Sequence, residues 1–239
     1  MKKQSEKQVI AQIREGLLKR ANPEKAKILS GFFKTGKGQY GEGDIFLGIT
    51  VPEQRRFAKE YAAIPLSSLS TLLSSRIHEH RLVALLILME QYRKGDNGNK
   101  KEIFGFYLGK TRHINNWDLV DLSAPNILGD HLLDKDRSVL CRLAESESLW
   151  ERRMAVMATF AFIRAGQFGD TFRIAKMLLS DPHDLIHKAV GWMLREIGKR
   201  DRKTEEEFLK KHCREMPRTM LRYAIERFNE EKRKYYLRK

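Results

Sequence analysis

The chain has 239 residues, and 41% of them are hydrophobic and spread along nearly its whole length, so one sizeable domain can bury a core and a disordered chain is excluded. Lys and Arg number 46 against 31 Asp and Glu, a formal net charge of +15 that repels itself within a fold and suits a polyanionic partner, nucleic acid first. The two cysteines, Cys141 and Cys213, are too few for a cysteine-only zinc site or an iron–sulfur cluster and suit free thiols in a reducing compartment.

The start, Met1-Lys2-Lys3-Gln4-Ser5-Glu6-Lys7, has a basic head but no apolar segment behind it, and no stretch approaches a membrane span. The expectation is a cytoplasmic protein with no membrane partner. Val9, Ile10, Ile13, Leu17 and Leu18 fall at helical spacing, and Pro23 suits the opening of a second helix through Ile28, Leu29, Phe32 and Phe33. Glycines then concentrate between Lys34 and Asp44, which predicts a long loop over 34–48. This loop lacks the phosphate-loop pattern, since no Gly-Lys-Ser/Thr follows and no strand precedes it. Two readings stay open: a turned connector, or a loop whose Lys34, Lys37 and backbone amides touch DNA phosphates.

Thr50 and Glu53 have capping-box spacing with Pro52 in the first turn, and helices are expected around 66–74, 78–94, 100–112, 116–123, 125–133, 136–146, 148–165, 170–180, 184–199, 204–213 and 217–229. Ser148 with Glu151 and Thr204 with Glu207 repeat the box spacing. The run Asp44-Ile45-Phe46-Leu47-Gly48 is an isolated, glycine-bounded strand candidate, so the fold class is all-α. Short turns between helices of this length make neighbours antiparallel, and the pairs starting near 140 and near 174 are similar. A single domain over 1–239, built as a superhelical α-solenoid of HEAT-like antiparallel helix pairs, is expected, with a non-repetitive bundle as the alternative.

Three segments hold candidate chemistry. In Asn115-Asn116-Trp117-Asp118-Leu119-Val120-Asp121 the asparagines suit a helix start, and Trp117 and Asp121 share a face at a spacing of four. Core packing of Trp117 and a surface or capping role for Asp121 are the bland readings. The chemical one is N-glycosidic hydrolysis: a carboxylate stabilises an oxocarbenium-like transition state and positions water while an indole presses on the sugar. Lys188, Trp192, Arg195 and Lys199 form a second stripe of cation, aromatic, cation, cation along one helix face, suited to phosphate. Arg152 and Arg153 are adjacent, so one can meet phosphate or the carboxylate while the other faces solvent. His78 with His80, and His183 with His187, lack a third ligand at metal spacing, so each is assigned to structure or surface and no metal or other cofactor is expected.

Trp117-Asp118-Leu119-Val120-Asp121, Trp150-Glu151-Arg152-Arg153 and Gly191-Trp192-Met193-Leu194-Arg195-Glu196, in this order and separation, resemble the DNA alkylation repair family of HEAT-like DNA glycosylases. The segments Phe33 to Gly36 and Gly41 to Gly48 resemble its amino-terminal region, and the likeness covers about residues 8–225. The resemblance implies a helical solenoid whose concave basic face cradles duplex DNA and acts on cationic N3- or N7-alkylated purines without base flipping. It implies that Asp121 stabilises the sugar cation and deploys water, that Trp117 contacts the lesion nucleotide, and that Arg153 lies beside the carboxylate. Trp192 is then the second aromatic of the cleft and Arg195 a backbone contact. Apart from the resemblance, a monomer with no obligate protein partner is the simplest expectation. The best-studied catalytic branch has a second aromatic just before the motif tryptophan, where this chain has Asn116, and a shorter connection than the glycine-rich 34–48. A DNA-structure-binding protein without excision, and a helical protein-interaction scaffold, are the alternatives.

Overall fold

A computed structural model of the chain describes residues 5–238, which leaves Lys239 and the first four residues of the basic start outside. The described residues are almost entirely helical, with no strand among them, and they divide into two compact units, residues 1–119 and 120–239.

The first unit holds α1 (Glu6–Leu18), α2 (Pro23–Phe32), α3 (Val51–Glu60), α4 (Leu66–Leu73), α5 (His78–Lys94), α6 (Asn97–Leu108) and the start of α7 (Trp117–Ala124). Caps set several of the starts. Ser5 and Gln8 form a capping box at α1, Asn22 accepts from the Lys25 amide at 3.0 Å, and the expected Thr50 and Glu53 box opens α3. The run Leu82 to Leu88 is buried on every side, so α5 is the unit's central helix, and α1, α3, α4 and α6 pack on it.

The loop between α2 and α3 is built on its exit. Glu79, fully buried, accepts from three successive backbone amides, Leu47 at 2.9 Å, Gly48 at 2.8 Å and Ile49 at 3.3 Å. Gly48 has φ +83°, and a Cβ there would meet the Asn22 carbonyl at 2.2 Å, so glycine is required. The strand candidate 44–48 makes only one isolated parallel bridge, Ile45 with Ile77, because Glu79 takes the amides that a ladder would use.

The second unit holds the rest of α7, a π turn at Pro125–Gly129, α8 (Ser138–Ala144), α9 (Leu149–Arg164), α10 (Gly169–Met177), α11 (Asp184–Gly198), α12 (Arg202–His212), α13 (Arg218–Ala224) and α14 (Glu230–Arg238). α9 packs against the π turn, α8, α10 and α11, and α11 against α12 and α13. Two glycines permit close approach: a Cβ on Gly129 would lie 2.2 Å from the Ala158 carbonyl, and one on Gly191 would lie 2.4 Å from that of Met220. Glu205 of α12 is fully buried, neither of its oxygens accepts a hydrogen bond, and burial pushes its pKa up to about 8.

Several expected boundaries move, each for a local reason. The helix expected at 204 starts at Arg202, because Asp201 accepts from the Thr204 amide and is the stronger cap. Ser148 makes no box with Glu151. Instead Glu151 accepts from the Ser146 hydroxyl, which itself accepts the Ser148 amide at 3.1 Å. The helix expected over 125–133 widens into the short π turn, and the one over 217–229 ends at Ala224, followed by a 3-10 turn at Ile225–Arg227 and by α14.

Candidate active site

Asp121 lies on the part of α7 that belongs to the second unit, and the sequence placed an arginine near it. The structure supplies Arg153 of α9, whose Nε and Nη2 donate to the two carboxylate oxygens at 2.8 and 2.7 Å. This is a fork-on-fork pair, and it fixes the plane of the carboxylate. A third guanidinium donor, Nη1, goes to the Leu185 carbonyl at the start of α11, so α11 in turn fixes Arg153. Arg153 is 5% exposed whereas the Asp121 side chain keeps 13%, so one edge of the pair reaches the surface. The neighbouring Arg152 turns away, as adjacency requires, but into the fold and not into the solvent expected for it, because a buried Asp181 reaches it. It pairs with Asp181 at 2.6 Å and donates to the Ser146 and Glu147 carbonyls, holding the turn before α9.

The stripe on α11 is present, but its cations have carboxylate partners of their own. Lys188 pairs with Asp184, Lys199 with Glu196, and Arg195 with Glu226. Trp192, half-buried, donates its indole N–H to Glu196 at 3.1 Å and lies with Phe160 at a ring separation of 6.2 Å. Glu196 therefore gathers Trp192, Lys199 and Arg200, whose guanidinium also bonds the Glu196 carbonyl. Lys188 and Lys199 stay about two-fifths exposed; the Asp184 partner of Lys188 is exposed as well, so that pair holds weakly, whereas the Glu196 partner of Lys199 is buried. Lys34 and Lys37 are exposed on the loop between α2 and α3. Lys34 adopts φ +52° and its ammonium lies 5.9 Å from the Tyr40 ring centre.

Trp117 opens α7 in the first unit, half-buried in an aromatic group that the sequence did not assemble. Phe33 stacks on it at 5.0 Å and 16°, Phe46 stacks on Phe33 at 5.0 Å and 20°, and His78 stacks on Phe46 at 4.5 Å and 22°. Phe32 meets Trp117 edge-on at 5.8 Å and is 62% exposed. A family model described as DNA alkylation repair enzyme matches residues 13–228. The chain belongs to the DNA alkylation repair family. Among solved structures it is similar to one titled "Predicted DNA alkylation repair enzyme from Enterococcus faecalis", with a TM-score of 0.69 and 19% identity, covering 88% of this chain and 98% of that one. That likeness is one of fold. A search of curated proteins found no match.

In this member of the family the departure at Asn116 has a structural use. Asn116 is fully buried, its Oδ1 accepts the Trp117 amide at 2.8 Å and its Nδ2 donates to Asp44 at 3.2 Å. Asp44 also accepts from Arg81 at 2.7 Å and from His78 Nδ1 at 3.2 Å, while His78 Nε2 donates to Asp118 at 2.8 Å. Burial works against the charged imidazole, but Asp118 and then Asp44 outweigh it and raise the His78 pKa to about 8. Sequence reasoning left His78 as structure or surface. The clue was the charged group His78-Glu79-His80-Arg81 placed directly before the apolar run Leu82 to Met89 of the same helix. No cluster of three or more His, Cys, Asp or Glu among the described residues could hold a metal ion, and no helix there is long and apolar enough to cross a membrane.

Proposed function

We propose that this family member is a DNA glycosylase that hydrolyses the N-glycosidic bond of cationic N3- or N7-alkylated purines in duplex DNA, starting base excision repair. The observation that carries the reading is the Asp121 carboxylate, held in a fixed plane by a buried Arg153 while its side chain stays 13% exposed. As the C1′–N bond breaks, its electrons quench the positive charge of the alkylated base, and no acid is needed to protonate the leaving group. The deoxyribose becomes cationic at that moment. Asp121 stabilises it and aligns a water whose oxygen bonds to C1′, the water proton passing to solvent.

Trp117, one helical turn before Asp121 on α7, is the aromatic proposed to press on the lesion nucleotide, and Trp192 is the second aromatic. Lys34, Lys37, Lys188 and Lys199 are proposed phosphate contacts. Arg152 and Arg195 also belong to the proposed interface, although both hold carboxylates of the protein itself. The finer fold reading, HEAT-like antiparallel pairs in an α-solenoid with a basic concavity, is part of the same proposal. Support comes from the second unit, where successive helices from α8 to α13 pack on near neighbours in the chain.

The test is release of 7-methylguanine or 3-methyladenine from methylated duplex DNA. The native protein is expected to release the base, and Asp121→Asn to lose about a hundredfold or more in rate while still binding duplex. Salt-sensitive binding without release by the native protein would replace this reading with a DNA-structure-binding one. A retained rate in the Asn variant would remove Asp121 from its role.

A further inference from the structure

Trp117 is held from two sides, and both supports lead back to one side chain. Through the rings, Trp117 rests on Phe33, Phe33 on Phe46 and Phe46 on His78. Through hydrogen bonds, His78 joins Asp118, the next residue after Trp117, and also Asp44, which holds Asn116, the residue before it. Both ring nitrogens of His78 therefore face carboxylate oxygens. An ionised carboxylate only accepts, so both nitrogens must donate, and this is the pattern of an imidazolium.

The charges close as a set. The groups facing the ring are Asp44 from the loop, Asp118 from α7 and Arg81 from its own helix, with Arg81 Nη2 3.5 Å from His78 Nδ1. Phe46 stacks on the ring and Phe33 lies tilted beside it on the same side, and Glu79 is turned to the amides of 47–49. Two carboxylates against Arg81 and a charged His78 sum to zero. Loss of the proton leaves a buried net negative charge, with one ring nitrogen lone pair against a carboxylate.

We propose that His78, as an imidazolium bridging Asp44 and Asp118, is a positioning residue that sets the ring plane of Trp117 and the first turn of α7. Its relevance to catalysis rests on the role given to Trp117 above. The pKa near 8 means that this support is complete below neutral pH and fails as pH rises past that value.

The experiment starts with the native full chain. Nitrogen NMR of the His78 ring from pH 6 to 9.5, assigned with His78→Phe, is expected to show both nitrogens protonated at pH 7 and a midpoint near 8. A neutral ring at pH 7 overturns the proposal. Trp117 emission, read in a Trp150→Phe, Trp192→Phe background, is expected to change with the same midpoint, and Asp44→Asn is expected to move that midpoint down. Emission that stays flat through the His78 titration overturns the positioning claim, and so does a transition that survives His78→Phe. If His78→Phe does not fold, a His78 midpoint shared with Trp117 in chains that retain His78 still decides. Single-turnover release of 7-methylguanine is expected to fall tenfold or more in His78→Phe, and above pH 8 in the native protein, with affinity for unmodified duplex within twofold of native. An equal fall in affinity would make the role a merely structural one and overturn it. Should the native protein release no base, the glycosylase reading fails, while the NMR and emission results still decide this one.

Discussion

Two buried groups, His78 and Glu205, lose stability in the same direction, as pH rises, but over different ranges. His78 has a folded pKa of about 8 against an ordinary 6.5, so its stabilisation is full below pH 6.5 and is lost as pH rises through 8. A shift of this size corresponds to about 2 kcal/mol, and the difference between chemical denaturation at pH 6.5 and pH 9 is expected to shrink by that order in His78→Phe, the part that remains belonging to Glu205. Glu205 loses its contribution over a wider range that starts lower. Its folded pKa is raised to about 8 from 4.5, so it favours folding only when protonated, and the cost of ionising it grows as pH climbs from 4.5 towards 8. Glu205→Gln is therefore expected to raise Tm, by more at pH 7.5 than at pH 4.5, in calorimetry at the two values. Arg153 is the third case. Arg153→Ala strands a carboxylate and the Leu185 carbonyl, and a loss of about 3–5 kcal/mol is expected in urea unfolding, with Arg153→Lys recovering charge but not the two-pronged fit.

At the scale of elements, what was legible in the sequence was what a local signal could carry. The Thr50 and Glu53 box and the apolar run of α5 were read correctly, because caps and apolar spacing act within one or two turns. Ser148 and Thr204 misled, since the box spacing alone does not show that Ser146 or Asp201 stands closer to the free amides. The glycines of α11 and the π turn were also opaque, because their reason lies in a neighbour distant in sequence. Gly191 leaves room for the Met220 carbonyl and the Tyr223 side chain. Gly191→Ala is expected to cost about 1–3 kcal/mol, measurable as a lowered urea midpoint, although alanine is the better helix former.

At the scale of the molecule, the charge excess pointed to a polyanion, and membership of the DNA alkylation repair family accords with that. Composition could not say which cations are committed inside the protein. Arg152, Arg153 and Arg195 looked equivalent to the surface lysines in sequence, yet each is spent on a carboxylate of the fold, because carboxylates far along the chain reach them. The pair Asp121 and Arg153 could be anticipated only through resemblance, and the His78 network not even so, since its parts come from residues 44, 78, 81 and 118. The remaining cations carry a countable prediction. If Lys34 and Lys37 each neutralise a phosphate, replacing both with alanine lowers the magnitude of the slope of log affinity against log salt by about 2, while Lys188→Ala changes it by about 1. An unchanged slope in the double variant would take the loop off the DNA.

The buried carboxylate of Glu79 has a consequence for how this chain can vary. Because it grips the amides of residues 47 to 49, and the Asn22 amide bonds the Leu47 carbonyl at 2.8 Å, the chain re-enters the helical body at a point that owes nothing to the glycine-rich tip. Lengthening such a tip costs only the slow logarithmic growth of loop entropy. Residues 36 to 40 thus form a graft site, where lineages or engineers can exchange one reach or charge for another without renegotiating the core.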